Sequence, residues 1–335
     1  MIETLWFQPR WYHRLLWPLL WPLSRVYRSI SRKRKLEFET AKRVSYRPSV
    51  PVIVVGNITA GGNGKTPVVV WLVEWLKQQG YRPGVVSRGY GAKAPHYPYV
   101  VKKDSPAEHA GDEPLLIRQR TRVPVVIAPR RARAVAELEK QGVNIVVTDD
   151  GLQHYALQRD IEVIVIDGQR RFGNEEFIPL GPLREGLERL KTADLLITNG
   201  GEPQENECAM RLKPSRFVNV KTGKKVEASH FEHAVAIAGI GHPPRFFDTL
   251  TDLGIALEKT VGFADHQAYD AETLNNLTPS QQPLLMTEKD AVKCRHFSQP
   301  HWWYLPVDAE MDSRVAETLR VALDKVKEKY GSPTA

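Results

Sequence analysis

Cysteine is nearly absent. Cys208 and Cys294 are the only two in 335 residues, far apart and outside any C-x-x-C spacing. That excludes a disulfide framework and a cysteine zinc site, and it fits a reducing compartment. Long apolar runs are missing as well. The longest uncharged apolar stretch near the N-terminus, residues 15–24, lies between Arg14 and Arg25 and contains Pro18 and Pro22. A spanning helix needs roughly 20 apolar residues, so no transmembrane segment is expected. A cleaved signal peptide fits poorly, because prolines break the run and no small-x-small site precedes the basic cluster. Repeats and low-complexity tracts are absent too. An apolar share of 42% and a charged share of 26% exclude wholesale disorder, and the length suggests two domains.

What is present is unevenly placed. Residues 1–47 hold eleven Lys/Arg against three Glu, which accounts for the whole net charge of +8. Four of the eight tryptophans (Trp6, Trp11, Trp17, Trp21) lie in the same segment, mixed with Leu and Pro. Tryptophan and leucine beside cations suit a membrane interface, where the ring sits at headgroup depth and Arg32-Lys33-Arg34-Lys35 meets anionic lipid. The alternatives are a helix packed on the protein's own body and a nucleic-acid-binding arm. The remaining chain offers no basic surplus for a nucleic-acid groove, so no nucleic-acid partner is expected. A peripheral membrane-surface segment over 1–47 is the expectation.

From Pro51 onward apolar strand-like runs alternate with helical stretches. The strands are expected at 52–55, 84–87, 123–128, 144–148, 162–167, 193–199, 234–240, 283–287 and 302–307. Several are β-branched and apolar on both faces, as a buried parallel strand requires. Helices are expected at 67–79, 113–120, 131–141, 244–253, 271–277 and 309–329. Alternation of this kind predicts an α/β fold with a parallel sheet flanked by helices. The polar stretch 200–225 is the expected boundary, giving a domain over 48–210 and a smaller α/β domain over 211–335. The last helix could belong to either.

Residues 52–66, Val-Ile-Val-Val-Gly-Asn-Ile-Thr-Ala-Gly-Gly-Asn-Gly-Lys-Thr, read as strand, glycine-rich loop and helix start. Gly61, Gly62 and Gly64 let backbone N–H groups converge on phosphate oxygens. Lys65 can reach β/γ-phosphate, and the Thr66 hydroxyl can ligate Mg²⁺. Thr59 stands where the strict pattern has glycine, but the strand-to-helix context supplies what the pattern lacks. A bound nucleoside triphosphate is expected. Some 80 residues on, a strand ends in Asp149-Asp150. A phosphate-loop protein places there the acid that holds Mg²⁺ directly or through water. His154, just beyond, could contact substrate or fill a polar loop.

Five motifs occur in order: Gly61-Gly-Asn-Gly-Lys-Thr-Pro67, Ser87-Arg-Gly-Tyr-Gly91, Gly111-Asp-Glu-Pro114, Thr148-Asp-Asp-Gly-Leu-Gln-His154 and Thr287-Glu-Lys-Asp290. Together they resemble the tetraacyldisaccharide 4'-kinase family of the lipid A pathway. The resemblance runs from about residue 15 to 307. It implies transfer of the ATP γ-phosphate, with Mg²⁺, to the 4'-hydroxyl of a tetraacylated glucosamine disaccharide 1-phosphate, giving lipid IVA. It also implies peripheral attachment to the cytoplasmic face of the bacterial inner membrane, with no obligate protein partner evident. The nucleotide loop carries over onto Thr59, Ala60, Gly61, Gly62, Asn63, Gly64, Lys65 and Thr66, with Asn63 where many members have Thr. The acidic site carries over onto Asp112, Glu113, Asp149 and Asp150, and a partner histidine onto His266. Arg88, Arg131 and Arg184 resemble family positions near phosphate or substrate.

On this basis Asp112 is expected to accept the hydroxyl proton, oriented and kept ionised by His266. Without it, Asp112 reads as a helix N-cap. Glu113 either binds Mg²⁺ through water or favours the helix start. Two other classes share the loop. A membrane-associated GTPase would read guanine with Thr287–Asp290, yet Glu288 stands where that motif has lysine. A membrane assembly ATPase would not need Asp112 with His266.

Overall fold

The Val/Ile runs expected as buried strands form the centre of a nine-stranded sheet in the computed structural model, which describes residues 2–8 and 10–330. Met1 and Pro9 of the expected N-terminal segment and 331–335 of the expected C-terminal domain lie outside the described residues. The strands are β1 (Val52–Gly56), β2 (Pro83–Ser87), β3 (Tyr99–Val101), β4 (Val125–Ile127), β5 (Ile145–Thr148), β6 (Ile161–Asp167), β7 (Leu195–Asn199) and β8 (Glu207–Pro214). A second sheet of six holds β9 (Phe217–Asn219), β10 (Lys225–Val226), β11 (His233–Ala238), β12 (Ala256–Gly262), β13 (Leu284–Thr287) and β14 (Trp302–Leu305). The last strand, β15 (Val307–Met311), returns to the first sheet, whose order is β15-β8-β7-β6-β1-β5-β2-β4-β3. Only β3 and β15, at its two edges, run antiparallel to their neighbours. Strands β1, β2 and β5 are buried on both faces, as a parallel sheet covered by helices on both sides demands.

The chain crosses between the sheets inside the stretch expected as a boundary, between Pro214 and Phe217, and that stretch carries strands of its own. The expected helix 309–329 starts later, at Ser313, because 307–311 alternates in burial with period two and pairs with β8. Helix Ser313–Tyr330 then buries Val315, Leu319, Leu323 and Val326 in the core of the first sheet. Each such side chain contributes about 1.5–3 kcal/mol when fully buried, so this helix belongs with the first sheet.

The N-terminal helix Trp17–Glu39 packs the wrong way round for a soluble protein. Its protein-facing row is Ser24, Tyr27, Arg28, Ser31 and Lys35, spaced as one helical face. Ser24 Oγ donates to the Phe177 carbonyl at 2.9 Å, Ser31 Oγ donates to the Arg184 carbonyl at 3.2 Å, and Arg25 pairs with Glu176. The apolar side chains point outward: Leu19 is 68% exposed, Leu23 52%, Val26 56% and Ile30 62%. No helix among the described residues is long and apolar enough to cross a membrane.

Candidate active site

Strands β1 and β5 are parallel neighbours in register, Val54 opposite Thr148, so the glycine loop and the aspartate pair emerge side by side at their carboxyl ends. Gly64, at φ +88°, ends the loop and starts helix Lys65–Gln78 with no side-chain cap. The first-turn N–H groups therefore point at whatever anion the loop holds. Lys65 Nζ donates to Asn57 Oδ1 at 3.3 Å and lies 3.6 Å from Asp150. Arg184 Nη1 donates to both Asp150 oxygens at 3.1 Å.

The two adjacent aspartates are driven in opposite directions. Burial would raise Asp150, but Lys65, Arg184 and Arg131 outweigh it and hold the carboxyl down at about 2. Asp149 is fully buried, and desolvation with the nearby Glu113 and Asp150 charges pushes it well above the usual carboxylate range. Both Asp149 oxygens and the Thr148 hydroxyl are buried without a hydrogen-bond partner. Unsatisfied buried oxygens beside a phosphate cradle suit a hard divalent cation, so the donor set fits Mg²⁺. Among the described residues no three His, Cys, Asp or Glu side chains close into a protein-only metal cage.

The second sheet brings its own carboxyl ends to the same cleft. Gly241, after β11, sits so close to the loop that a Cβ there would lie 2.6 Å from the Gly62 nitrogen. After β12, residue 266 takes φ +61° and turns the His266 ring toward the first sheet. His266 Nδ1 lies 3.0 and 3.1 Å from the two Asp112 oxygens, and the Tyr90 ring flanks it at 5.2 Å. The N-cap of helix Asp112–Thr121 is Gly111, so the cap reading of Asp112 does not describe it. Burial would raise Asp112, yet the His266 hydrogen bond with the Lys289 and Lys293 charges brings it to about 2. His266 moves upward, chiefly through that same bond. Lys289 reaches Glu113 at 2.8 Å and Asp265 at 3.0 Å. Burial works against its charge, but Glu113, Asp112 and Asp265 more than offset that, and the ammonium persists. Between the sheets lies a cleft of about 1110 Å³ whose wall includes Lys65, Thr66, Glu113, Arg184, His266 and Lys289.

The sequence profile of the family described as Tetraacyldisaccharide-1-P 4'-kinase matches residues 16–324. The chain belongs to this family. A tetraacyldisaccharide 4'-kinase of Vibrio cholerae is 58% identical over 335 residues, covering 100% of both chains. One of Aliivibrio salmonicida is 57% identical over 331 residues, covering 99% of each. Among solved structures, an "apo" form LpxK from Aquifex aeolicus in complex with ATP superposes with a TM-score of 0.73 at 24% identity, over 90% of this chain and 97% of that one. That likeness establishes the fold.

The remaining residues that the 4'-kinase resemblance singled out fall into two groups. Arg184 lines the cleft, whereas Arg131 is buried and its Nη2 donates to the Asp149 and Asp150 carbonyls at 3.0 and 2.6 Å. Burial, against those two acids, lowers Arg131 to about 10. His154 is half-buried; its burial, with Arg131, Arg159, Arg34 and Arg88 around it, pushes it down to about 4 and keeps the ring neutral. Arg88 is exposed beside this group. Thr287–Asp290 is not free to read a base. Asp290 is completely buried and accepts from Thr287 Oγ1 at 2.6 Å, Tyr269 OH at 2.7 Å and the Gly239 N–H at 3.1 Å. Lys289, Lys293 and Asn57 were not foreseen as site residues. The two lysines lie in or beside a recognised motif and could have been found from it. Asn57 lies inside the strand-and-loop run 52–66, two residues before the loop, and could have been found from it too.

Proposed function

We propose that the protein transfers the γ-phosphate of ATP to the 4'-hydroxyl of a tetraacylated glucosamine disaccharide 1-phosphate, at the cytoplasmic face of the bacterial inner membrane. The observation that carries this reading is the Asp112–His266 pair, brought together from elements of the two sheets, with His266 lining the same cleft as the glycine loop. An alcohol acceptor needs a group that orients its hydroxyl and takes its proton, and this pair supplies one. The names of the relatives supply the sugar and the 4' position.

Residues 59–66 cradle the triphosphate, with Lys65 at the β/γ-phosphate. Thr66 with Asp149 or Asp150 would hold Mg²⁺, with Glu113 reaching it through water, and the ion when bound would neutralise charge on the phosphate oxygens. The loose phosphoryl-transfer transition state asks for little proton removal before the new bond forms. Asp112 can therefore act with a low pKa: it orients the hydroxyl, and the carboxylate–imidazole pair takes the proton as one unit. Lys289 and Lys293 keep Asp112 ionised, and Arg184 fixes Asp150. Arg88 and neutral His154, both close to Arg131, are assigned to the acceptor's polar head. Arg131 acts there through the Asp149–Asp150 backbone. The outward apolar face of helix Trp17–Glu39 and the cations at 32–35 seat the enzyme on anionic lipid, where the acylated substrate resides.

The test is a labelled-ATP assay on the purified tetraacyldisaccharide 1-phosphate, with the position of the product phosphate mapped. Label on the 4'-oxygen is expected. Label released as inorganic phosphate, or found on another hydroxyl, defeats the reading.

A further inference from the structure

Arg170 stands outside the chemistry above, yet it touches the glycine loop. It follows β6, where Asp167 Oδ1 accepts the backbone N–H groups of Gln169 and Arg170 at 3.0 Å each. Asp167 Oδ2 accepts the Arg170 Nε–H at 3.1 Å, so the guanidinium is preset in its plane. Its Nη2 donates to the Gly62 carbonyl at 3.0 Å, and a Cβ on Gly61 would meet the same group at 3.6 Å. Its face lies over the Phe7 ring, 4.8 Å from the centroid. The Arg170 side chain is only 10% exposed.

A phosphate cradle needs its N–H groups turned inward and its carbonyls turned out. Three glycines give this loop the freedom to flip a peptide plane, and a carbonyl turned inward would face phosphate oxygen. We propose that Arg170 is a positioning residue for the nucleotide loop, holding the Gly62 carbonyl outward, and that Phe7 of the N-terminal helix completes its seat. The proposal rests on the reading of residues 59–66 as the triphosphate site. Phe7 is itself fixed: the Trp6 carbonyl accepts the Asn174 N–H at 2.9 Å, and Trp6 Nε1 donates to the Pro179 carbonyl at 3.0 Å. The helix Ile2–Phe7, just before the outward-facing apolar helix, thus reaches the nucleotide loop through one guanidinium.

The experiment is steady-state kinetics and Mg·ATP binding on the full chain for Arg170→Ala, Arg170→Lys and Phe7→Leu, with Lys65→Ala as reference. Arg170→Ala should raise ATP KM and Kd by about tenfold, leaving lipid KM unchanged and kcat within about threefold. Arg170→Lys should rescue only part, because a point ammonium cannot bridge Asp167 and Gly62 as a planar fork does. Phe7→Leu should shift ATP KM the same way by roughly two- to threefold and add little on the Arg170→Ala background. An unchanged ATP KM in Arg170→Ala overturns the proposal, as does a fall in kcat alone, the mark of a lost folded fraction. Should Arg170→Ala not fold, unchanged ATP KM in both Arg170→Lys and Phe7→Leu overturns it. Intact ATP affinity in Lys65→Ala would instead defeat the reading of the loop itself.

Discussion

Asp112 and His266 are 154 residues apart in the chain and 3.0 Å apart in space, and their coupling can be measured. Asp112→Asn should lower kcat by roughly 10²–10⁴-fold with ATP KM nearly unchanged, and His266→Ala should cost less. The double variant should fall far short of the product of the two losses, since residues acting as one unit are not additive. Fully multiplicative losses would mean two independent groups. The pH profile gives a second reading. Asp112 raises the imidazole, so the acid limb of lipid kcat/KM should lie above the ordinary histidine value and move to lower pH in Asp112→Asn. Asp149 makes a separate case. Its folded pKa is raised, so its contribution to stability is present below the ordinary carboxylate value and lost as pH rises through the raised one. Asp149→Asn should therefore raise Tm of the ligand-free protein at pH 8 more than at pH 5, while weakening Mg·ATP binding. Equal Tm gains at both pH values would show that this carboxyl is not held protonated. The placement of the glycine loop beside the aspartate pair was legible because phosphate loops and strand-end aspartates carry their signal locally. The Asp112–His266 pair was legible only through family resemblance, since no local pattern joins two loops so far apart.

Among the elements, the buried parallel strands were the easiest to foresee, because each is a short β-branched run apolar on both faces. Strands β3, β8, β9, β10, β12 and β15 were missed. Edge or half-exposed strands such as Ala256–Gly262 alternate weakly and read as polar linker, and only pairing with a neighbour makes them strands. Helix Trp17–Glu39 shows a different limit. Its composition announced a membrane surface, but which face meets the protein was settled by Ser24 and Ser31 bonding to carbonyls of the 177–184 segment. Because Leu19, Leu23 and Val26 are exposed, replacing all three with Glu should leave Tm nearly unchanged. The same change should weaken binding to anionic vesicles by at least about tenfold. Raised salt should weaken the unaltered protein through the basic cluster as well. Unaltered vesicle binding in the triple variant, measured by co-sedimentation, would place the lipid contact elsewhere.

At the scale of the whole molecule, ion pairs link the two sheets beside the apolar contact that Val292 makes with the first core. Helix Asp112–Thr121 of the first sheet sends Arg120 to Glu288 at 3.1 Å on the second, and the same guanidinium also pairs with Asp308 of β15. Lys289, in the helix that carries Glu288, answers by reaching back to Glu113. Such a junction can hold a nucleotide cleft together and still allow its walls to shift, since ion pairs re-form more readily than an apolar seam repacks. Glu288 is the vulnerable member. Its burial lifts its pKa above the ordinary value, and Arg120 is the largest influence opposing that rise. Arg120→Ala should lift it further and leave a part-buried carboxylate without its main partner, at a cost of roughly 2–3 kcal/mol near neutral pH. The raised folded pKa fixes the sign: the loss should be small near pH 3.5, below the ordinary glutamate value, and should grow as pH rises toward 8. Arg120→Ala with Glu288→Gln should recover much of the loss, because the uncompensated charge is gone. Thermal melts of the single and double variants at the two pH values decide it. A pH-independent loss, or no recovery in the double variant, would mean that Arg120 holds the sheets by packing rather than by its charge.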